Sequence, residues 1–261
     1  MHLNNYHLCS IYMCGIYSVL NASSASYDNM VCSLQRVTHR GPDNTSVQYI
    51  DNLHTFLGFH RLSINGLDPE SNQPMYNASK DIVLLCNGQI YNHTELFHCF
   101  DFQRENKSDC EIILHLYERF GIEYTLTLLD GVFAFILMDF RDTPICYVSR
   151  DPLGVRPLFI GYNGNEIHIG SEIKTLQSCN TVKPVQPGAW YTFQYEREVW
   201  KNTTHKTYFT LPITSFTNAS SIKDVFNTSM TFPHRCSMHP KLKYRIPLFI
   251  VSKCFWFKNR G

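Results

Sequence analysis

The stretch "YMCGIYSVL" at residues 12–20 places a cysteine between a methionine and a glycine, at the head of an apolar run. If Met13 is the working start and is then removed, Cys14 becomes the first residue and carries its thiol beside a free α-amino group. The alternative is a small buried side chain that opens a strand, the commoner role of a free cysteine. Taken alone, this stretch favours the buried cysteine, so the other motifs of the chain must decide.

Composition limits the class of protein. The chain has 261 residues, 44% of them hydrophobic, with a formal net charge of +1. These values predict one good-sized packed domain and at most the start of a second. A charge near zero argues against a general nucleic-acid or anionic-membrane surface, and no stretch approaches the length of a membrane span. The ten cysteines form no C-x-x-C pair and the histidines are scattered, so no metal site is predicted.

The first twelve residues bear on the cellular location. They lack the positively charged start and the apolar run of a secretory signal. We therefore expect a cytoplasmic protein in a reducing compartment, with free thiols.

Short β-rich runs dominate residues 13 to about 200. "DIVLLCNG" (81–88) predicts a buried strand that ends in a turn at Asn87-Gly88. "GVFAFILMDF" (131–140) and "ICYVSRD" (145–151) are typical of strands. "LFIGYNGNEIHIGSE" (158–172) predicts a hairpin with Asn163-Gly164 as its two-residue turn. "AWYTFQYEREVW" (189–200) predicts one more, late strand.

The clearest helix is predicted over "DCEIILHLYERFG" (109–121). Its apolar side chains recur at helical spacing, and Gly121 is the expected C-cap. Strands outnumber helices along the chain. The predicted class is therefore α+β, with sheet packed on sheet and helices outside.

Four further segments follow Cys14 along the chain. They are "HRGPD" (39–43), "GFHRLSING" (58–66), "CNGQIYNH" (86–93) and "SDCE" (108–111). Each has an ordinary interpretation: Arg61 as a surface charge, Asn87-Gly88 as a turn, Asp109 as a helix cap. Their order and spacing behind a Met-Cys-Gly start make a far more specific signal than any one of them.

Together these segments resemble the glutamine amidotransferases whose nucleophile is an N-terminal cysteine. Within that family the chain is most similar to the glutaminase half of glutamine-dependent asparagine synthetase. "SRDPLGVRPLF" (149–159) and "GSEIKTL" (170–176) add two family-like blocks, and the resemblance covers residues 13 to about 200. It implies a four-layer αββα sandwich, in which two antiparallel sheets stack face to face between helical layers, as in N-terminal-nucleophile hydrolases.

The resemblance implies hydrolysis of the side-chain amide of L-glutamine with release of ammonia, without a metal or other cofactor. Cys14 would attack the amide carbon, because sulfur is intrinsically nucleophilic. Its own α-amino group, with a reference pKa of about 7.7–8.0, would be the base. The Asn87 side chain and the Gly88 N–H would form the oxyanion hole, in which one donor is typically worth about 2.7–4 kcal/mol.

Recognition of glutamine would depend on its amino-acid end. Arg61 would hold the α-carboxylate with paired donors, and Asp109 would take the α-ammonium group. The full set implied to bind glutamine is Arg61, Leu62, Ser63, Ile64, Asn65, Asn87, Gly88, Gln89 and Asp109. Position 89 departs from the family, which usually has glutamate there. Gln89 keeps an acceptor oxygen but lacks the charge, so we expect weaker glutamine binding.

The C-terminal part is expected to differ from the family. Residues 201–220 are polar and turn-rich and predict a linker. Residues 221–261 begin like a synthetase domain but carry no acidic residue after Thr231, which predicts a truncated or aberrant start of that domain. The family's ATP loop, Ser-Gly-Gly-x-Asp-Ser, does not occur in the sequence. ATP-Mg and asparagine formation are therefore expected only of a separate synthetase domain or chain that accepts the ammonia.

Residues 1–12 precede Met13 and would block the amine of Cys14. We therefore expect this extension to be removed or untranslated. Two alternatives to an enzyme stay open. One is a degenerate glutamine-binding or regulatory module without turnover, which the blocked start and Gln89 favour. The other is a nonfunctional fragment, which the Lys- and Arg-containing tail after Thr231 favours.

Overall fold

Antiparallel strands make up most of the structure. The computed structural model describes residues 13–64 and 68–210. Its strands are β1 (Gly15–Leu20), β2 (Asn44–Ile50), β3 (Thr55–Arg61), β4 (Met75–Tyr76), β5 (Ile82–Ile90), β6 (Gly131–Asp139), β7 (Ile145–Arg150), β8 (Phe159–Asn163), β9 (Glu166–Gly170), β10 (Thr181–Pro184), β11 (Ala189–Glu196) and β12 (Val199–Thr207). Its helices are α1 (Tyr27–Gln35), α2 (His93–Phe100) and α3 (Ile112–Leu128).

The strands form two six-stranded sheets. The first has the order β10-β8-β9-β1-β3-β2, and the second has the order β12-β11-β7-β6-β5-β4. β1 is central in the first sheet, antiparallel to β3 and β9. β5 pairs with β6 along its whole length, from Ile82 opposite Asp139 to Ile90 opposite Gly131. These ladders fix the start of β1 and the end of β5.

The second sheet carries apolar side chains on both of its faces. Successive residues of a strand point to opposite sides of the sheet. Val83 and Leu85 of β5 pack between the two sheets, whereas Leu84 packs with Ile113 of α3 on the other face. Leu34 of α1 packs on the outer face of the first sheet. The layers are therefore α1, first sheet, second sheet, and α2 with α3. The predicted four-layer αββα sandwich is confirmed.

The Asn87-Gly88 pair lies inside β5 and not in a turn. Asn87 is opposite Ala134 of β6, and Gly88 is opposite Phe133. The prediction that the strand ends in a turn at this pair is wrong. An Asn-Gly pair favours turns through its own backbone. Here the ladder with β6 and the burial of Asn87 hold the extended conformation instead.

The hairpin over residues 158–172 is confirmed, with its turn one residue later than predicted. Asn163 pairs with Glu166 at the end of the ladder. The two turn residues are therefore Gly164 and Asn165, and Gly164 has a φ of 57°. A positive φ at this position is the conformation that glycine adopts without steric cost.

Residues 189–200 form a hairpin rather than one late strand. Arg197 and Glu198 have φ angles of 52° and 62°, which turn β11 back onto β12. β12 continues to Thr207, so the first part of the predicted linker belongs to the second sheet. Residues 211–261, which include the rest of that linker and the predicted synthetase remnant, lie outside the described residues, as do residues 1–12.

α3 continues past its predicted end. Gly121 has a φ of 73° and a ψ of 174°, so the first helical segment stops there, but a second segment follows to Leu128. In the part of the chain that the structure describes, no helix has the length and apolar character needed to cross a membrane.

Candidate active site

Cys14 lies half-buried just before β1, with its thiol against the segment that follows β3. The Leu62 N–H donates to Sγ of Cys14 at 3.3 Å, and the thiol donates to the Leu62 carbonyl oxygen at 3.6 Å. Burial raises the pKa of the thiol, whereas the Leu62 hydrogen bond and the guanidinium groups of Arg156 and Arg61 lower it. Burial prevails, so the thiol is neutral near pH 7.

A partly buried ion pair holds the main chain at Cys14. Nε of Arg40 donates to the Cys14 carbonyl oxygen at 3.0 Å, and Nη1 donates to Oε1 of Glu172 at 2.8 Å. In turn, the Arg40 carbonyl accepts from the Met13 N–H at 3.1 Å. "HRGPD" and "GSEIKTL", which are far apart in sequence, therefore act together at the residue just before β1.

β4 pairs only with residues 83 and 84 of β5. Beyond that pairing, side chains bind the main-chain groups along the same edge of β5. Nε2 of Gln73 donates to the Cys86 carbonyl at 2.9 Å, and its Oε1 accepts from the Cys86 N–H at 2.5 Å. Four residues on, the Ile90 N–H donates to Oδ2 of Asp109 at 2.6 Å. Alternate residues of an antiparallel strand direct their main-chain groups to the same edge. The N–H of Gly88, midway between Cys86 and Ile90, therefore points to this edge too.

Asn87 and Gly88 supply two donors that no described residue uses. Asn87 is 2% exposed, and its Nδ2 is buried without a described acceptor. The Gly88 N–H likewise has no acceptor among the described residues. A Cβ at position 88 would lie 2.7 Å from the Val132 carbonyl oxygen, so glycine is required there. Since an unsatisfied buried donor costs about 1–3 kcal/mol, the buried Nδ2 of Asn87 indicates a position for a ligand oxygen, and the half-buried Gly88 offers a second donor beside it.

Two opposite charges lie deep in the same region. Arg61, at the end of β3, is 6% exposed, and its Nη1 donates to Oδ1 of Asn72 at 2.5 Å and to the Asp68 carbonyl at 3.2 Å. Asp109 is 5% exposed and begins the short 3-10 turn before α3. A guanidinium and a carboxylate in one cleft are suited to the carboxylate and ammonium groups of an amino acid.

The segment after β3 lines the cleft only in part. Leu62 and Ile64 line it, and Ile64 is 68% exposed at its mouth. Ser63 is not a lining residue, and its N–H donates to Oδ2 of Asp43 at 2.7 Å. Asn65 lies outside the described residues, so its role stays a prediction.

One cleft thus brings most of the predicted residues together. From that set, Cys14, Arg61, Leu62, Ile64, Asn87, Gly88, Gln89 and Asp109 line it. Sequence reasoning missed other lining residues, namely Met13, Ser71, Gln73, Cys86, Ser108, Cys110 and Arg156. Arg156 belongs to the 149–159 block, which carries a family signal without a stated role. No signal in "SNQP" (71–74) indicates that Gln73 contacts β5.

The remaining cysteines form no metal site in the described ranges. Free thiols are present at Cys14, Cys32, Cys86, Cys110, Cys146 and Cys179. Cys99 is disulfide-bonded, so the expectation of free thiols fails at that position. Within residues 13–64 and 68–210, no group of three or more His, Cys, Asp or Glu side chains is arranged to hold a metal ion.

Comparison with known proteins gives the family. Residues 13–224 match the family model described as the glutamine amidotransferase domain. The chain belongs to this family. Asparagine synthetase (glutamine-hydrolyzing) 1 of Arabidopsis thaliana is 39% identical over 187 residues, which cover 69% of this chain and 31% of that protein. The Asparagus officinalis enzyme is 41% identical over 189 residues, with the same two coverages of 69% and 31%. This glutamine amidotransferase chain therefore spans about a third of the length of these relatives.

Two solved structures share the fold. Glutamine phosphoribosylpyrophosphate amidotransferase from B. subtilis matches with a TM-score of 0.59 at 22% identity, over 76% of this chain and 50% of that one. A structure described as the allosteric regulatory enzyme of purine biosynthesis matches with a TM-score of 0.62 at 21% identity, with the same coverages of 76% and 50%. At such identities the likeness concerns the fold alone.

Proposed function

We propose that this chain hydrolyses the side-chain amide of L-glutamine to glutamate and ammonia through a thioester on Cys14. In the proposed active form, Cys14 is the first residue. Its α-amino group takes the thiol proton while sulfur attacks the amide carbon. The α-amino group then passes this proton to the amide nitrogen, which leaves as ammonia and gives a γ-glutamyl thioester. Water then adds to the thioester, glutamate is released and the thiol is restored, so the proposed reaction needs no metal or cofactor.

The proposed oxyanion hole consists of Nδ2 of Asn87 and the N–H of Gly88. The observation that carries the proposal is that the Asn87 amide is buried without a described partner in the cleft that the Cys14 thiol lines. Negative charge develops on the former carbonyl oxygen during attack. Donors already in position stabilise that charge without reorganisation.

The proposed recognition groups distinguish an amino acid from other amides. Arg61 takes the α-carboxylate and Asp109 the α-ammonium group, and both lie in the cleft lining. Leu62 and Ile64 form the wall beside them, with Ser63 and Asn65 in the same segment. Gln89 offers an uncharged acceptor to the ammonium end, which is expected to weaken binding of glutamine.

Ammonia from this reaction needs an acceptor. The relatives are named asparagine synthetases and are about three times as long as the matched region. We propose that a synthetase domain, elsewhere in a longer protein or in a separate chain, consumes the ammonia and supplies the ATP-Mg site. A cytoplasmic location agrees with this role.

The experiment compares chains that begin at Cys14 with chains that retain residues 1–13. Glutamate and ammonia release are measured, and the protein is treated with 6-diazo-5-oxo-norleucine, whose diazoketone alkylates an activated thiol with loss of nitrogen. We expect turnover and a single label on Cys14 in the processed chain. Cys14→Ala should lose both, whereas Cys32→Ala, an exposed cysteine outside the cleft, should keep both. Turnover that survives in Cys14→Ala contradicts the proposal.

A glutamine-binding module without turnover is the second candidate. The Met13 main chain, bonded to the Arg40 carbonyl, favours it in chains that keep the extension, because the Cys14 nitrogen is then a peptide nitrogen. Gln89 favours it as well. This candidate predicts that glutamine raises the Tm of the processed chain while neither ammonia nor a Cys14 label is formed.

A further inference from the structure

Arg156 is a cation of the cleft that the proposed hydrolysis does not use. It lines the cleft with Cys14, and its Nη1 contacts the sulfur of Met13. Its Nε is buried without a described partner. Among residues 13–64 and 68–210, no carboxylate forms an ion pair with its guanidinium group.

The loop after β7 holds the Arg156 main chain from both sides. The Arg156 N–H donates to Oδ2 of Asp151 at 3.0 Å, and its carbonyl accepts from Nε of Arg150 at 2.7 Å. Oδ1 of Asp151 also accepts from the N–H groups of Leu153 and Val155, at 3.1 and 3.0 Å. Asp151 is buried, so the loop is tied to the sheet rather than to solvent-exposed groups. The backbone position of Arg156 is therefore fixed by these hydrogen bonds.

We infer that Arg156 keeps the α-amino group of processed Cys14 in its unprotonated, basic form near neutral pH. The inference rests on the proposed function, in which that amine is the base. Nη1 of Arg156 contacts Met13, the residue attached directly to the Cys14 nitrogen. When Met13 is removed, the guanidinium group loses this partner and the Cys14 nitrogen becomes a free amine in the cleft that Arg156 also lines. A neighbouring positive charge disfavours protonation of an amine.

The positive charge of Arg156 acts on two ionisable groups of this region, the Cys14 thiol and the Tyr91 phenol. Its charge lowers the pKa of the Cys14 thiol and opposes the burial that raises the pKa of the Tyr91 phenol. Other ionisable groups face Cys14 from the elements around it: Arg40, Arg61, Cys86, Asp109, Cys110 and Glu172. Of these, Arg40 is paired with Glu172, which Lys174 also contacts at 3.0 Å. Arg156 adds a cation that forms no ion pair with a described carboxylate, whereas Asp109 is a carboxylate of the same cleft.

The first test titrates the amine without any turnover. Chains that begin at residue 14 and carry Cys14→Ser present the same amine without a thiol. Competitive acetylation with acetic anhydride between about pH 5 and pH 10, followed by mass spectrometry of the N-terminal peptide, gives the midpoint. We expect Arg156→Gln and Arg156→Met to raise this midpoint by about one pH unit, and Arg156→Lys to retain it. Arg197→Gln, the same change at an exposed turn, should have no effect.

The second test uses chains with Cys14 intact. In Arg156→Gln, the acid limb of kcat/KM should move to higher pH by the same amount, with activity recovered above that limb. An unchanged amine midpoint in both Arg156→Gln and Arg156→Met overturns the inference, as does a rise in KM alone, which would make Arg156 a ligand of the substrate carboxylate. A shifted midpoint in a chain without glutaminase activity would instead refute the proposed function and leave the electrostatic effect standing.

Discussion

Leu62 meets the Cys14 sulfur with both of its main-chain polar groups, the N–H at 3.3 Å and the carbonyl oxygen at 3.6 Å. The two residues are 48 positions apart in sequence. They meet because β1 and β3 are neighbouring strands, with Gly15 opposite His60 at the end of the ladder. The orientation of the thiol is therefore set by the pairing of two central strands.

The thiol of Cys14 should ionise at higher pH than a free cysteine. Burial raises its pKa, and the Leu62 hydrogen bond offsets only part of that effect. In chains that retain Met13, we expect the rate of alkylation by iodoacetamide to rise with pH and to reach its midpoint above about 8.5, the value for free cysteine. Mass spectrometry of the Cys14 peptide measures this, with exposed Cys32 as the internal reference. A midpoint below that of Cys32 would show that the surrounding cations outweigh burial.

Asn87→Ala should lower kcat about 100- to 1,000-fold in the processed chain, with a small change in KM, because it removes one oxyanion donor. Since Nδ2 of Asn87 has no described partner, the variant should lose no stabilising hydrogen bond and should keep its Tm. Steady-state ammonia release measures kcat and KM, and thermal unfolding measures the Tm. Asn202→Ala, at an exposed position of β12, is the matched control. Unchanged kcat in Asn87→Ala would remove Asn87 from the proposed oxyanion hole.

Retention of residues 1–13 should reduce kcat by about 100-fold or more, because a peptide nitrogen cannot serve as the base. Intact-mass analysis identifies the first residue in each preparation, and ammonia release is then compared at equal protein concentration. A preparation with Met1 intact and full activity would require a different proton acceptor.

Gln89→Glu should lower KM for glutamine, roughly 5- to 10-fold, because a charged acceptor binds an ammonium group more strongly than an amide does. kcat should change little. Gln194→Glu on β11 makes the same chemical change outside the cleft and should leave KM unaltered. An unchanged or higher KM in Gln89→Glu would mean that position 89 does not face the ammonium end.

The layers of the fold were accessible to sequence reasoning, but local geometry was less so. Runs such as 131–140 and 145–151 appear as β6 and β7. Every residue of β6 is buried, and in β7 the residues Cys146, Val148 and Ser149 are buried. The prediction of a turn at Asn87-Gly88 is wrong because pairing with β6 overrides the preference of an Asn-Gly pair for turns. The late strand became a hairpin through two positive-φ residues that are not glycine, Arg197 and Glu198, and no composition rule marks them.

The candidate site was likewise predictable from the sequence only in part. Arg61, Asn87 and Asp109 lie in motifs that predict a cleft shared with Cys14. In the structure all four residues line one cleft. The contacts of Gln73 with Cys86 and of Arg40 with Glu172 link segments far apart in the chain. Such pairs depend on strand order, which the motif spacing does not encode. Arg156 lies within a recognised block, yet its backbone position is set by hydrogen bonds to Arg150 and Asp151.

The filled edge of β5 also limits what can approach it. An unprotected edge invites another polypeptide to add as a strand, with hydrogen bonds at every second residue. Gln73 and Asp109 already take the neighbouring positions at Cys86 and Ile90. Between these two positions of β5, only Gly88 directs its main-chain groups to this edge. This edge therefore offers no run of unpaired main-chain groups to which an extended peptide could add as a further strand.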